Sequence, residues 1–332
     1  MRVGVVGVGR IGRYHARLVR AHPDVDAIVV TDVDPARAHE VAATVEAEVA
    51  ESVAGLLERV DAVIIAASTD AHAQLIHQAV DAGVPTFCEK PVALDLASTA
   101  GVVRHVRDAG ATVQMGFQRR FDAGYRAAHQ AVCDGTLGRV YAVRMAGHDP
   151  APPHEAYIPA SGGIFRDLHI HDFDIVRWVL GQEVVEVYAQ GAVLADPVFA
   201  KYGDVDTVAA TFAFSGGTLG VLTGARHDPL VYDIRMELFG SGDSVSVGWD
   251  ARTPLRSVEP GMPPAPARPY GFFIDRFDAA YRAELGAFLD VARGRAPNPC
   301  TVEDAEAALH IAVACDRSRA ERRPVTLAEV LA

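Results

Sequence analysis

The run Arg2-Val3-Gly4-Val5-Val6-Gly7-Val8-Gly9-Arg10-Ile11-Gly12 begins with apolar residues fit for a buried strand and ends in the spacing G-x-G-x-x-G. The amphipathic segment 13–20 follows at once, so the glycines stand between a strand and a helix. In that place Gly7 permits a tight turn, Gly9 lets backbone approach a pyrophosphate, and Gly12 allows close helix packing. The phosphates then meet the positive end of the helix. A second strand, Ala27 to Thr31, ends at Asp32, whose carboxylate suits the ribose hydroxyls of a dinucleotide and repels a 2′-phosphate. With Asp34 adding charge nearby, the pattern predicts NAD over NADP. Arg37 is the dissenting residue, because it could reach a 2′-phosphate. Gly7, Val8, Gly9, Arg10, Ile11, Gly12 and Asp32 are thus the first candidate cofactor contacts.

The strand and helix alternation continues. Residues 61–67 read as a buried parallel strand, and Ser68-Thr69-Asp70-Ala71-His72 offers capping groups to a helix over 73–82. Loops after the strands of a doubly wound sheet face the ligand crevice, which places Ala66, Ala67, Ser68, Thr69 and His72 against the dinucleotide. A strand over 84–88 ends in Glu89-Lys90-Pro91. Proline restricts Lys90 to extended geometry or allows a cis bond, and either aims the side chain in a fixed direction. A helix over 94–108 and a strand over 112–115 complete the unit, which closes at Gly116-Phe117-Gln118-Arg119-Arg120-Phe121. Glu89, Lys90 and Gln118 join the candidate cofactor contacts. Of the 31 basic residues only Lys90 and Lys201 are lysines. An arginine-biased chain has kept at position 90 a compact, titratable ammonium that a guanidinium does not replace.

The chain of 332 residues is long enough for two cores. A net charge of −12 argues against nucleic acid or anionic membrane as partner, and no apolar run reaches the ~18 residues of a bilayer span. The opening residues read as a strand and not a signal peptide. Four scattered cysteines without metal or redox spacing point to a reducing cytoplasm. From Gly138 the texture changes to alternating segments at 139–145, 184–194, 206–214, 218–224, 232–240 and 244–249. Hairpin signals separate the later ones, so they read as a large, mostly antiparallel open sheet. One of its faces can cover a helix, and the other suits burial against another subunit. A Pro-rich span, 259–269, leads to helices near 277–291 and 302–320. The expected architecture is an α/β Rossmann domain over 1–120, a doubly wound parallel sheet, followed by an α+β domain over 121–332.

Between these lies Gly162-Gly163-Ile164-Phe165-Arg166-Asp167-Leu168-His169-Ile170-His171-Asp172-Phe173-Asp174, with an apolar run to Leu180 and a closing Gly181. Read as one helix, it puts Asp167, His171, Asp174 and Trp178 on one face. An acid beside an imidazole can act as a general base with its orienting partner. The plainer reading is a helix start with acids near its positive end and two hydrogen-bonded histidines, of which His169 is taken as structural. Zinc ligation is disfavoured, because structural zinc spacings are absent, and no metal is expected.

Together, G-V-G-x-I-G with Asp32, the tripeptide Glu89-Lys90-Pro91, Gly116 to Asp122 and Ser161 to Asp174 resemble the Gfo/Idh/MocA oxidoreductases over essentially the whole chain. The resemblance implies an NAD-dependent oxidation of a secondary hydroxyl on a cyclic polyol, with myo-inositol to its 2-ketone as the leading reaction. It also implies a catalytic group of Lys90, Asp167 and His171, and dimers or tetramers built through the second-domain sheet. The chemistry agrees: His171 serves as base, Asp167 orients it, and Lys90 is the cation at the reacting oxygen. His148, Asp174 and Tyr232 are further substrate-binding candidates, and the Pro-rich segment 149–160 is expected to overhang the substrate. Alternatives are another sugar or an amino-inositol, NAD-dependent glycoside hydrolysis, and a sensor that binds dinucleotide without chemistry.

Overall fold

The computed structural model describes every residue except Pro263, which lies in the Pro-rich span, and Ala332. The chain forms two compact units, Met1–Gln118 with Tyr281–Ala307, and Arg119–Ala280 with Ala308–Ala332. The first unit thus takes in a segment from late in the chain.

In the first unit the strands are β1 (Arg2–Val6), β2 (Ala27–Thr31), β3 (Glu48–Val49), β4 (Ala62–Ile65), β5 (Thr86–Glu89) and β6 (Val113–Gly116). Between them run α1 (Arg10–Arg20), α2 (Pro35–Val45), α3 (Val53–Leu57), α4 (Thr69–Asp81) and α5 (Leu96–Ala109). The sheet is parallel throughout in the order β3-β2-β1-β4-β5-β6, the doubly wound arrangement whose crevice lies at the strand ends between β1 and β4. β4 and β5 are buried at every position, as strands covered by helices on both faces must be. The later segment returns along the free edge of β6. Met115 donates its N–H to the Cys300 carbonyl at 2.9 Å, and Asn298 Nδ2 donates to the Val113 carbonyl at 2.7 Å. An open edge strand is a pairing hazard, and covering it explains why these residues rejoin the first unit.

The second unit holds α6 (Ala123–Cys133), β7 (Val140–His148), α7 (Ile158–Ser161), α8 (Ile164–Asp167), α9 (Ile170–Leu180), β8 (Val184–Ala192), β9 (Thr207–Phe214), β10 (Leu219–Ala225), β11 (Asp233–Gly240) and β12 (Ser244–Val247). The helices α10 (Phe273–Ala292) and α11 (Val302–Glu321) each divide their residues between the two units, and β13 (Val325–Thr326) and α12 (Ala328–Leu331) follow in the second. The sheet order is β12-β11-β7-β10-β9-β8-β13. Its pairs are antiparallel except β7 with β10, which run parallel and bring Ala225 beside His148. The buried positions of β9 and β10 alternate, and β8 joins them past an irregularity at its start, so one face supplies core residues such as Val187, Phe212 and Leu222, while Leu219 and Val221 stay exposed on the other.

Candidate active site

In the first unit the glycine-rich turn has two glycines that the protein itself demands. Gly7 has φ of +83°, and a side chain there would meet the Ala67 backbone at 2.6 Å; a side chain at Gly12 would strike the Gly7 carbonyl at 1.9 Å. Gly9 is different, because a Cβ there meets nothing within 4 Å. It caps α1 with no side-chain bond to the first-turn N–H groups. Close approach of a ligand is what that glycine leaves room for, and the residues fit a dinucleotide phosphate. Asp32, at the end of β2, accepts the Val8 N–H at 2.8 Å and the Asp34 N–H at 2.9 Å. Arg37 pairs with Asp32 at 3.2 Å and Asp34 at 3.4 Å, so the dissenting guanidinium is held by the acids it was set against.

Ser68 takes the N-cap position of α4 with extended backbone, yet its side chain makes no capping bond, contrary to the expected cap. His72 is fully buried: its Nδ1 lies 2.7 Å from the Pro91 carbonyl and its Nε2 3.1 Å from the Ala67 carbonyl. Burial holds this imidazole below its ordinary value. It ties two loops together instead of lining an open crevice. Glu89 turns its Oε1 to His15 Nε2 at 2.6 Å, a buried pair absent from the sequence reading. Lys90 follows, half-buried, with a cis bond to Pro91. Gln118, at the end of the unit, buries an amide oxygen that has no hydrogen-bond partner among the described residues.

In the second unit the expected single helix is two. Gly162 and Gly163 both adopt positive φ, 78° and 91°, and open α8, which ends at Asp167. The His169 N–H reaches back five residues to the Ile164 carbonyl at 3.1 Å, and α9 starts afresh from the His169 carbonyl. This step is one residue wider than an α-helical turn and marks the join between the two helices. The cause is long-range. His169 is fully buried, donates or accepts at 2.9 Å with Asp172, and sits against Gly147, where a Cβ would come within 3.1 Å of its ring, and Gly224, where a Cβ would collide with it at 1.9 Å. Arg119 pairs with Asp172 from the other side. Burial alone would raise Asp172, but Arg119 and His169 hold it below the usual carboxylate range, while burial lowers His169.

Asp167 is held by two groups the sequence reading missed. Tyr157 donates its hydroxyl to Oδ1 at 2.9 Å, and Arg226 Nη1 lies 2.9 Å from Oδ2 and 3.1 Å from Asp149 Oδ2. Burial raises Asp149 above its ordinary value. Arg226 arrives here because β10 runs parallel to β7, a pairing no hairpin signal announces. Asp174 is fully buried and receives Arg120 through a two-point contact, Nε to Oδ2 at 2.9 Å and Nη2 to Oδ1 at 2.5 Å. Trp178 stacks on His129 of α6 at 4.0 Å. Tyr232 is buried, edge-on to Phe277, and burial raises its phenol. His148 Nδ1 lies 3.5 Å from Asp228 and 3.7 Å from Asp233, a group that could hold a cation, although Arg235 already forks both oxygens of Asp233 at 2.7 and 2.9 Å. His171, half-buried at the start of α9, is the remaining imidazole of the stretch.

Comparison with known proteins fits these two halves. Residues 1–117 match the oxidoreductase family with an NAD-binding Rossmann fold, and residues 125–246 match the Gfo/Idh/MocA C-terminal domain. A myo-inositol dehydrogenase of Streptomyces leeuwenhoekii is 41% identical over 96% of this chain and 97% of its own. A myo-inositol dehydrogenase from Corynebacterium glutamicum superposes with a TM-score of 0.90 at 35% identity, covering 98% of each chain. The scyllo-inositol dehydrogenase from Lactobacillus casei, solved with bound NAD(H) and scyllo-inositol, gives 0.87 at 28% identity over 99% of both. The first unit is an NAD-binding Rossmann domain, and the chain belongs to the Gfo/Idh/MocA family of oxidoreductases.

Proposed function

We propose that this protein is an NAD-dependent inositol dehydrogenase that oxidises a secondary ring hydroxyl, with myo-inositol converted to its 2-ketone as the leading reaction. The observation that carries the reading is full-length similarity to inositol dehydrogenases, one of them solved with both cofactor and cyclitol. NAD, when bound, supplies the acceptor for the hydride leaving the ring carbon. His171 takes the hydroxyl proton as general base. Asp167, fixed by Tyr157 and Arg226, is the acid assigned to orient that imidazole. Lys90 stabilises the oxygen as negative charge develops on it. His148 and Asp174, the latter through its pairing with Arg120, are assigned to the other ring hydroxyls.

No helix among the described residues is long and apolar enough to cross a membrane, and no disulfide joins the four cysteines, which suits a reducing cytoplasm. The open face of the second sheet is assigned to contact between copies of the chain, in a dimer or tetramer.

The test is NADH formation with myo-inositol, scyllo-inositol, glucose, galactose and xylose, each with NAD and NADP. Turnover with an inositol and NAD well above the sugars is expected. Lys90→Met and His171→Ala are each expected to lower kcat about 100-fold or more while NAD still binds. Wild-type turnover in either variant would remove that residue's role. Preference for a hexose or pentose would replace inositol as the substrate.

A further inference from the structure

Two buried histidines hydrogen-bond to the residues on either side of Lys90. On one side, Glu89 ends β5 and points its carboxylate at His15 of α1, 2.6 Å away. The His15 ring is fully buried, walled by Phe87 at 5.6 Å and Tyr281 at 5.8 Å, and its other nitrogen has no hydrogen-bond partner among the described residues. Its polar bond is therefore spent on Glu89. The neighbouring strand makes room for that carboxylate: Gly116 pairs with Glu89, and a Cβ there would come within 3.2 Å of both the Glu89 Cα and Oε2. On the other side, His72 of α4 holds the Pro91 carbonyl at 2.7 Å and the Ala67 carbonyl at 3.1 Å.

Burying imidazoles and a carboxylate costs free energy that apolar residues of similar size would not incur. What such directional bonds provide instead is a fixed geometry. Here the two bonds fall one residue before and one residue after Lys90, on helices that flank the same strand end. We infer that His15 and His72 are positioning residues for Lys90, fixing through Glu89 and Pro91 the backbone from which its side chain leaves. This rests on the reading above, in which the Lys90 ammonium stabilises the reacting oxygen. A misplacement of about 1 Å costs on the order of 100-fold in rate, so two short bonds at the base of a long side chain matter to turnover.

The test compares variants by single-turnover NADH formation with myo-inositol at high enzyme concentration. His15→Phe/Glu89→Leu replaces both partners by apolar groups, so no buried polar atom is stranded and the fold is retained. His72→Leu removes the second bond, and His15→Gln keeps an N–H donor toward Glu89. The double variant and His72→Leu are expected to lose about 10- to 100-fold in rate. Because Glu89 and His72 are also candidate cofactor contacts, each variant's NAD affinity is read by fluorescence quenching and the rates are compared at saturating NAD. His15→Gln recovers most of the loss.

The decisive comparison repeats the double variant in a Lys90→Met background. If the histidine acts through Lys90, its removal costs nothing further once the lysine is gone. Full multiplication of the two losses would overturn the inference, as would wild-type turnover of the folded double variant and of His72→Leu. A Lys90→Met enzyme as fast as wild type is a separate result: it removes the catalytic reading itself, whatever the histidine variants do.

Discussion

Asp32 illustrates how a single side chain can hold a loop and choose a ligand at once. Its carboxylate accepts two backbone N–H groups, one from Val8 inside the glycine turn, and keeps Arg37 at 3.2 Å. Replacing it by Ser removes the negative charge that repels a 2′-phosphate and releases Arg37, whose guanidinium matches phosphate geometry. Asp32→Ser is therefore expected to narrow the NAD over NADP preference by about 10-fold or more, chiefly by weakening NAD and strengthening NADP. Steady-state kinetics with both cofactors check this, and unchanged discrimination would assign the choice to another residue. Its position at the end of β2 was legible, because strand, turn, helix and terminal acid lie close together in sequence, whereas its hold on the Val8 N–H and on Arg37 was not. Arg226 was not legible. It stands 59 positions beyond Asp167, and nothing local marks it as the group that holds that carboxylate.

The pair α8 and α9 shows why helical spacing misjudged the central stretch. Periodicity treats residues 164–180 as continuous, whereas buried His169 draws the chain into a wider step and takes its place against two glycine-bearing strands. That placement has a consequence for pH. His169 is lowered by burial from its ordinary 6.5, and His72 likewise. Between the folded value and 6.5 the unfolded chain binds protons that the folded chain does not, so stability rises with pH across that window and falls on acidification. Asp172, depressed below 3.8 by Arg119 and His169, adds a further loss only as pH falls through its own lower range. Below pH 6.5 each buried histidine therefore adds to the loss of stability on acidification, in the same direction. His169→Gln keeps an N–H donor for Asp172 and removes the titration. Its urea midpoint is expected to fall less steeply over that range than the wild type's, and parallel slopes would mean that His169 is not held neutral in the fold.

Across the whole molecule the division of labour was readable, since a period near two after Gly138 and alternating strands and helices before it distinguish the two sheets. What local pattern could not supply was the long-distance pairing: β7 beside β10, and Tyr281–Ala307 returning to cover β6. The second sheet leaves one face to be explained. Leu219 and Val221 on β10 are 64% and 41% exposed, and next to them Arg144 lies over Phe239 and pairs with Glu237. An apolar strip with a charged pair at its side has the composition of an interface core and its rim. Contact through this face is isologous if it closes a dimer, so the same two side chains meet their counterparts or neighbours on the other copy. Leu219→Lys/Val221→Lys places like charges there without touching the buried face of β10. Light scattering is expected to show wild-type mass at two or four times 35.3 kDa and the double variant at or near the single-chain value, with NAD affinity retained. A wild-type chain that is monomeric at micromolar concentration, or a double variant that assembles like the wild type, would assign the sheet's open face to solvent.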